Sequence, residues 1–349
     1  MRAQVLQVVH TCHALAARGH EVTLLANPAK DAEVEAGPLL EAWGLPPIST
    51  FHLEIAPTRW SPGAGLWFRW KLGSWCDASP RDSVVYVREA KYLAVVGERP
   101  RVVYEAHCLE RQRAAEEGEE AGVVEAMERA VLARSAAVVS NSGGTLAALE
   151  AAYGPDGGLP AIRRVIHNAT RWDRVIDGEP VDPPVIAYTG SARAYKGVAA
   201  LVEAMAAMPE VTLELIGGVP EGPMPPNVRA VPTVPYSELP ARLARCRALV
   251  LPLEDNSFGR QFTSPLKLWD YLATGIPIVA ADLPTVREIA GELPFYYPPG
   301  SASGLRSAVA AALASGPRPR RIRTWDDRAL EVEAVLAEVV ALPRSAASR

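Results

Sequence analysis

The sequence predicts an α/β protein of two consecutive domains, each built on a doubly wound parallel sheet. Short runs rich in Val, Ile and Leu alternate with stretches of helical periodicity along the whole chain, the pattern of strand–helix–strand units over a parallel sheet. The alternation pauses in the polar, proline-terminated RWDRVIDGEPVDPP at Arg171–Pro184 and then restarts, so the chain divides there. Its 349 residues suffice for two domains of ordinary size, and 49% hydrophobic with 22% charged residues is a globular composition with substantial cores. The expected boundaries are 1–172, a linker at 173–184, 185–320, and a last segment at 321–349.

Composition also excludes partners. A net charge of −4 gives no reason to expect nucleic acid. No apolar run approaches the ~20 residues that cross a bilayer, and Met1–Leu15 carries His10, Thr11 and His13 where a signal peptide needs an apolar core. The four cysteines are scattered without metal-ligand spacing, which fits reduced thiols in a cytoplasmic protein. No metal site is expected.

The first element is a helix. Gln4–Arg18 puts Val5, Val8, Val9, Cys12, Leu15 and Ala16 on one face and ends at Gly19, and EVTLLA (Glu21–Ala26) follows as a strand. A domain of this kind normally opens with a strand and a glycine-rich turn. The sequence shows neither before this helix, which would leave a gap in the middle of the first sheet. Further strands are expected at Val84–Val87, Arg101–Tyr104 and Ala136–Ser140, and helices at Ala114–Leu132 and Gly144–Tyr153. Between them, Trp60, Trp67, Phe68, Trp70 and Trp75 mingle with Arg59, Arg69 and Lys71. These rings either cover the core, the commoner fate of Trp, or face a membrane interface or an acceptor cleft. His107, just after the strand RVVY, stands at the end of a parallel strand, where such sheets bind ligands.

In the second half, PVIAYTG and VTLELIGG are strands ending in glycine, and ALVLPL is a third. Helices are expected at Gly197–Met208 and Ser237–Cys246, and after IPIVAAD at Thr285–Ala290, Ser301–Ala314 and Thr324–Leu342. Lys196, in GSARAYKG, follows the first of these strands and can neutralise a diphosphate as a point charge; Arg193 is a second candidate. The most informative stretch is Ser264–Ala281, SPLKLWDYLATGIPIVAA. Ser264 reads as an N-cap, Pro265 as the first helical residue and Gly275 as the C′ residue. The amides at such a helix start form a phosphate site. Lys267 and Asp270 share a face of this helix, either as a surface ion pair or with the aspartate accepting from ribose hydroxyls.

Across the second half, GSARAYKG, LIGG, VPTVPYSELPARLARCRALVLPL, SPLKLWDYLATGIPIVAADLPTVREI and TWDDRAL occur in order. This half closely resembles the family-4 retaining glycosyltransferases of the GT-B fold. The first half is similar more loosely, through HALAARGHEVTLL, VYVR, VVYEAH, AVVSNSGGTLAAL and VIHNAT.

The resemblance implies two Rossmann-like doubly wound domains facing across a cleft, with the final helix crossing back to the first domain. It implies a nucleotide-diphosphate sugar as donor, held by the second domain, and a small-molecule, glycan or lipid-linked acceptor at the first. By position, Gly190, Arg193 and Lys196 fall to the donor diphosphate. Ser264, Pro265, Leu266, Lys267 and Asp270 fall to the phosphates and ribose, and Gly217 and Val234 to the base. His107 falls near the donor sugar. Some positions depart from the family pattern: Phe262 replaces a glutamate, Ser191 an arginine, and Asn168-Ala169 an Asn-Gly pair. The reading is a metal-independent enzyme without cofactor that moves a hexose-type sugar with retention, cytoplasmic with a peripheral membrane contact. Its alternative is a weak or inactive GT-B protein serving as a partner subunit. Another GT-B enzyme, such as an epimerase or phosphorylase, ranks below both.

Overall fold

A computed structural model describes residues 3–26, 36–55, 64–97, 99, 101–172 and 178–343. Arg59, Trp60 and residues 173–177 of the linker lie outside these. The chain forms two compact units, Met1–His167 with Trp325–Arg349, and Asn168–Thr324. The elements of the first unit are α1 (Ala3–Ala17), β1 (Val22–Ala26), α2 (Ala36–Ala42), β2 (Phe51–Ile55), α3 (Ala64–Ala78), β3 (Val85–Val87), α4 (Leu93–Val96), β4 (Val102–Ala106), α5 (Glu110–Glu117), α6 (Ala121–Arg134), β5 (Ala137–Ser140), α7 (Gly143–Tyr153) and β6 (Ile162–Val165). The second unit contributes β7 (Val185–Thr189), α8 (Val198–Met205), β8 (Thr212–Ile216), β9 (Val228–Val231), α9 (Leu239–Leu243), β10 (Ala248–Leu251), α10 (Leu266–Thr274), β11 (Ile278–Ala281), α11 (Pro284–Ala290), β12 (Phe295–Tyr297) and α12 (Ala302–Ala314). The last helix, α13 (Trp325–Ala341), returns to the first unit, where it packs on α1.

The second unit is a continuous six-stranded sheet in the order β12-β11-β10-β7-β8-β9, with every pair parallel. Its strands carry near-continuous apolar runs because helices cover both faces, and Ile186, Leu213, Leu249, Val250 and Val279 are shut off from solvent. From β7 the chain builds outward through β8 to β9, then returns to the other side of β7 with β10. The C-terminal ends of β7 and β10 are therefore the switch point, the place where open α/β sheets bind ligands.

The first unit is built in two pieces. β3-β4-β5-β6 form one parallel sheet, while β1 and β2 pair only with each other. Among the described residues no strand precedes α1, and the sheet is interrupted where the sequence implies a gap. β4 is buried at all five residues, whereas all five of β1 are only half-buried. A strand flanked on one side alone cannot sink both faces into a core.

Two expectations change. Ala114–Leu132 is not one helix: α5 ends at Gly118, in the left-handed region at φ 72°, and α6 begins at Ala121. The Glu128 carboxylate accepts from the Glu110 and Arg111 amides and from the Tyr153 hydroxyl, which holds the start of α5 against α6. The aromatic segment does not simply cover the core. Phe68 and Cys76 on α3 are buried, but Leu66 is 74% and Trp70 68% exposed.

Half-buried ladders open locally more easily than buried ones. In native-state hydrogen exchange, the amides of Val22–Ala26 should exchange about 100-fold or more faster than those of Val102–Ala106. Equal protection of the two strands would show that β1 is held as firmly as β4.

Candidate functional site

At the switch point, glycines let two strand ends close together. Gly190, just past β7, sits at φ +113°, where a side chain would be strained. A Cβ there would also lie 3.0 Å from Lys267 Nζ. Gly217, past β8 at φ +98°, packs on the Gly190 backbone, and a Cβ at Gly218 would crowd Ser191 and Ala192. Gly197 presses the loop after β7 against the loop after β10, so closely that a Cβ would collide with the Pro252 carbonyl oxygen. Tyr195 and Phe258 stack edge to face at 4.9 Å across the same two loops.

Two lysines enter this cradle. Lys196 Nζ donates to Ser191 Oγ at 3.0 Å, and its basicity is lowered by burial and then by repulsion from Arg193. Lys267 Nζ is buried without a hydrogen-bond partner, 3.8 Å over the Tyr188 ring. Burial, reinforced by Lys196, pulls it well below the usual lysine range. Among the described residues neither lysine has a salt-bridge partner. Arg193, shortly before Lys196 in sequence, is exposed.

The helix start differs by one residue from the expectation. Pro265 is the N-cap of α10, with ψ 117°, and Leu266 is its first helical residue. Ser264 does not cap the helix. It is buried, and it accepts at Oγ from the Asn168 backbone N–H (3.4 Å) and at its carbonyl from Asn168 Nδ2 (2.6 Å). Phe262, also buried, closes a wide π-type turn, Phe258–Phe262, just before it.

Lys267 and Asp270 do not form an ion pair. Asp270 Oδ1 accepts from Thr170 Oγ1 (2.6 Å) and Tyr236 OH (2.5 Å). Burial pushes its carboxyl up to about 6, against the pull of these bonds and of Arg171. The next residue, Tyr271, accepts at its hydroxyl from the Thr189 backbone N–H at 2.9 Å and ties α10 to the end of β7. Val234 is half-buried against the core of its unit, and its neighbour Thr233 approaches Gly217. The structure thus gathers Gly190, Lys196, Gly217 and Lys267 at one strand-end cradle, with Asp270 a turn further along α10.

His107 belongs to the first unit, past β4. Its Nε2 lies 3.0 Å from Glu105 Oε1, which also accepts from Gln7 Nε2 (2.7 Å) and from the fully buried Arg328 of α13 (2.8 Å). Glu105 escaped notice in the sequence although residues two apart at a strand end share a face. Tyr188, Tyr236 and Arg328 carried no local signal, because their partners are distant in the chain.

Asp270 gives a pH prediction. An acid whose folded value is raised binds its proton more tightly when folded. Its stabilising contribution is therefore fully present below the usual 3.8 and is lost as pH rises through about 6. Asp270→Asn should raise stability near pH 7 by on the order of 3 kcal/mol, with the gain fading towards about pH 4. Urea melts of both proteins across this range check it.

Two family models match the chain: Glycosyltransferase Family 4 over residues 4–172 and Glycosyl transferases group 1 over residues 183–315. No curated protein matches it in sequence. Among solved structures, it is similar to a sucrose-phosphate synthase from Thermosynechococcus elongatus (19% identity, TM-score 0.64, 97% of this chain and 91% of that one). It is also similar to WaaG, a glycosyltransferase involved in lipopolysaccharide biosynthesis (17%, TM-score 0.64, 99% and 95%), and to the lipopolysaccharide outer core galactosyltransferase WaaB (14%, TM-score 0.58, 95% and 91%). Two α/β units, a glycine and lysine cradle at the switch point of the second, and family models over both halves make this chain a group 1, family-4-like glycosyltransferase of the GT-B type.

Proposed function

We propose that the protein transfers a hexose-type sugar from a nucleotide-diphosphate donor to an acceptor hydroxyl with retention of configuration. The observation that carries this reading is the pair Lys196 and Lys267 at the mouth of β7 and β10: Lys267 Nζ is buried without a hydrogen-bond partner, Lys196 is half-buried on Ser191 Oγ, and neither has a salt-bridge partner among the described residues. Uncompensated buried charge is costly, and an anion with two negative groups removes the cost at both. A diphosphate has that charge and size. The amides at the start of α10, from Leu266 onward, add donors of the kind that hold phosphate, and Asp270 is positioned for the ribose. Gly217 and Val234 bound the space for the base.

The step breaks the bond from the anomeric carbon to the β-phosphate oxygen and forms one to the acceptor oxygen on the same face. The acceptor proton passes to the departing phosphate. The lysines stabilise charge where it develops on the leaving group, which is the role a divalent cation would otherwise fill, so turnover should survive chelators.

Lys196→Ala and Lys267→Met should each lower kcat/KM by roughly 100-fold and weaken nucleoside diphosphate binding, with the fold intact. Release of nucleoside diphosphate from a panel of nucleotide sugars, beside calorimetric titration with the free diphosphates, reads both. Wild-type turnover in both variants sinks the assignment. Diphosphate binding by the wild type without turnover favours the partner-subunit alternative.

The acceptor side is the first unit, and α3 gives it a face of particular chemistry. Leu66, Trp67 and Trp70 are exposed beside Arg69 and Lys71, whose ammonium lies 6.0 Å over the Trp67 ring. Indole rings interleaved with cations fit the headgroup region of an anionic membrane. No helix among the described residues is long and apolar enough to cross a membrane, so the contact would be peripheral, at the cytoplasmic face where nucleotide sugars are supplied, and suits a lipid-linked acceptor. Flotation with phosphatidylglycerol vesicles should retain the protein, and Leu66→Ser/Trp70→Ser should release it. Equal binding to vesicles of neutral lipid alone would refute the electrostatic part.

A further inference from the structure

Glu105 spends one carboxylate oxygen on three donors. Oε1 accepts from Gln7 Nε2 on α1, from Arg328 Nη2 on α13 and from His107 Nε2 just past β4. Two of these donors are themselves fixed. Gln7 Oε1 accepts from Arg88 Nη1 at 2.6 Å. Arg328 is anchored through Nε to Thr11 Oγ1 (3.0 Å) and through Nη1 to the carbonyls of Ile166 (2.7 Å) and His167 (2.9 Å). Burial alone would raise the Glu105 carboxyl, but Arg328, His107 and Arg88 hold it well below the usual carboxylate range.

An ionised carboxylate only accepts, so the ring nitrogen facing it must carry the hydrogen. Burial, with repulsion from Arg88 and Arg328, outweighs the pull of Glu105 and lowers the basicity of His107. The ring near neutral pH is then uncharged, with its hydrogen on Nε2 and a lone pair on Nδ1. The charged groups facing it come from β4 (Glu105), from the residue after β3 (Arg88) and from α13 (Arg328). The His107 side chain is one-fifth exposed (20%) while that of Glu105 is 4% exposed, so the imidazole and not the carboxylate meets what enters from solvent.

We propose that Glu105, braced by Arg328 of the last helix, is a positioning residue that fixes His107 as its Nε2–H tautomer and leaves Nδ1 to accept from a substrate hydroxyl. This rests on the transferase reading for the substrate, while the tautomer rests on the hydrogen bonds alone. It also gives α13 a part in the chemistry: the helix supplies the guanidinium that keeps Glu105 an acceptor.

Nitrogen-15 NMR of the histidine rings tests the tautomer in the unaltered protein. The expected pattern for His107 is a protonated Nε2 and a bare Nδ1 near neutral pH; a protonated Nδ1 overturns the proposal. Glu105→Gln, whose amide can donate as well as accept, should let the Nδ1–H form appear and lower kcat by about tenfold or more, with nucleoside diphosphate affinity unchanged. An unchanged tautomer with an unchanged kcat also overturns it. Because Glu105→Gln strands the buried Arg328 charge, Glu105→Gln/Arg328→Met serves as a second variant and should show the same tautomer mixture. Diphosphate release by the wild type is scored separately, so failure of the transferase reading is seen apart from failure of this one.

Discussion

Removing an ammonium from water without a carboxylate beside it is among the costliest things a fold can do with a side chain, and the second unit does so at Lys267. The nitrogen lies over the face of Tyr188 with no hydrogen-bond partner among the described residues, and such a contact is worth on the order of 1–2 kcal/mol. The same nitrogen crowds the Gly190 turn, where a Cβ would lie 3.0 Å away, and Tyr271, from the next turn of α10, pins that helix to the end of β7. The close glycine turns and the forced approach of Gly197 to Pro252 all serve to keep two lysines near one spot. An anion bound between the two lysines would relieve the desolvation and the mutual repulsion together, which is why the proposed donor diphosphate suits this place.

The first unit shows the opposite solution to the same problem. Arg328 is equally cut off from water, but it has a carboxylate, a hydroxyl and two carbonyls around its guanidinium. Nothing is left for a ligand to supply, so this pair is internal structure, and breaking it would strand a charge. The contrast separates the two clusters: buried charge that is satisfied holds a fold, and buried charge that is not satisfied waits for a partner. Asp270 lies between them. Its Oδ1 is used twice, yet burial still holds its carboxyl up near 6.

Local pattern made much of this legible. The alternation of strands and helices, the cap-like glycine after α10 and the glycine at the end of β7 could be read because each is written within a few residues. Errors arose where distant residues decided. Ser264 has the chemistry of an N-cap, but Asn168, far off in the chain, takes its oxygens, and the cap passes to Pro265. Lys267 and Asp270 have the spacing of a surface pair, but Tyr188 covers one and Tyr236 with Thr170 claims the other. Ala114–Leu132 has helical composition apart from Gly118 and Gly122, and the first of these turns the chain so that Glu128 can cap α5. The tryptophans of α3 went against the usual burial of the residue because that helix turns Phe68 inward and leaves Trp70 outside.

The two units also differ in how firmly they can hold a substrate. The glycine and lysine cradle stands on the two central strands of an unbroken six-stranded sheet, and α10, which carries Lys267, is tied to the end of β7 by the Thr189 backbone N–H donating to Tyr271 OH. Rigid support of this kind lets charge be stabilised without reorganisation during the reaction. In the first unit β1 and β2 stand apart from β3–β6, and what ties its beginning to its end is the polar core of Gln7, Thr11, Glu105 and Arg328. His107 hangs on that core. Its orientation therefore depends less on sheet packing than on a few hydrogen bonds to one carboxylate, and those bonds set which ring nitrogen is free.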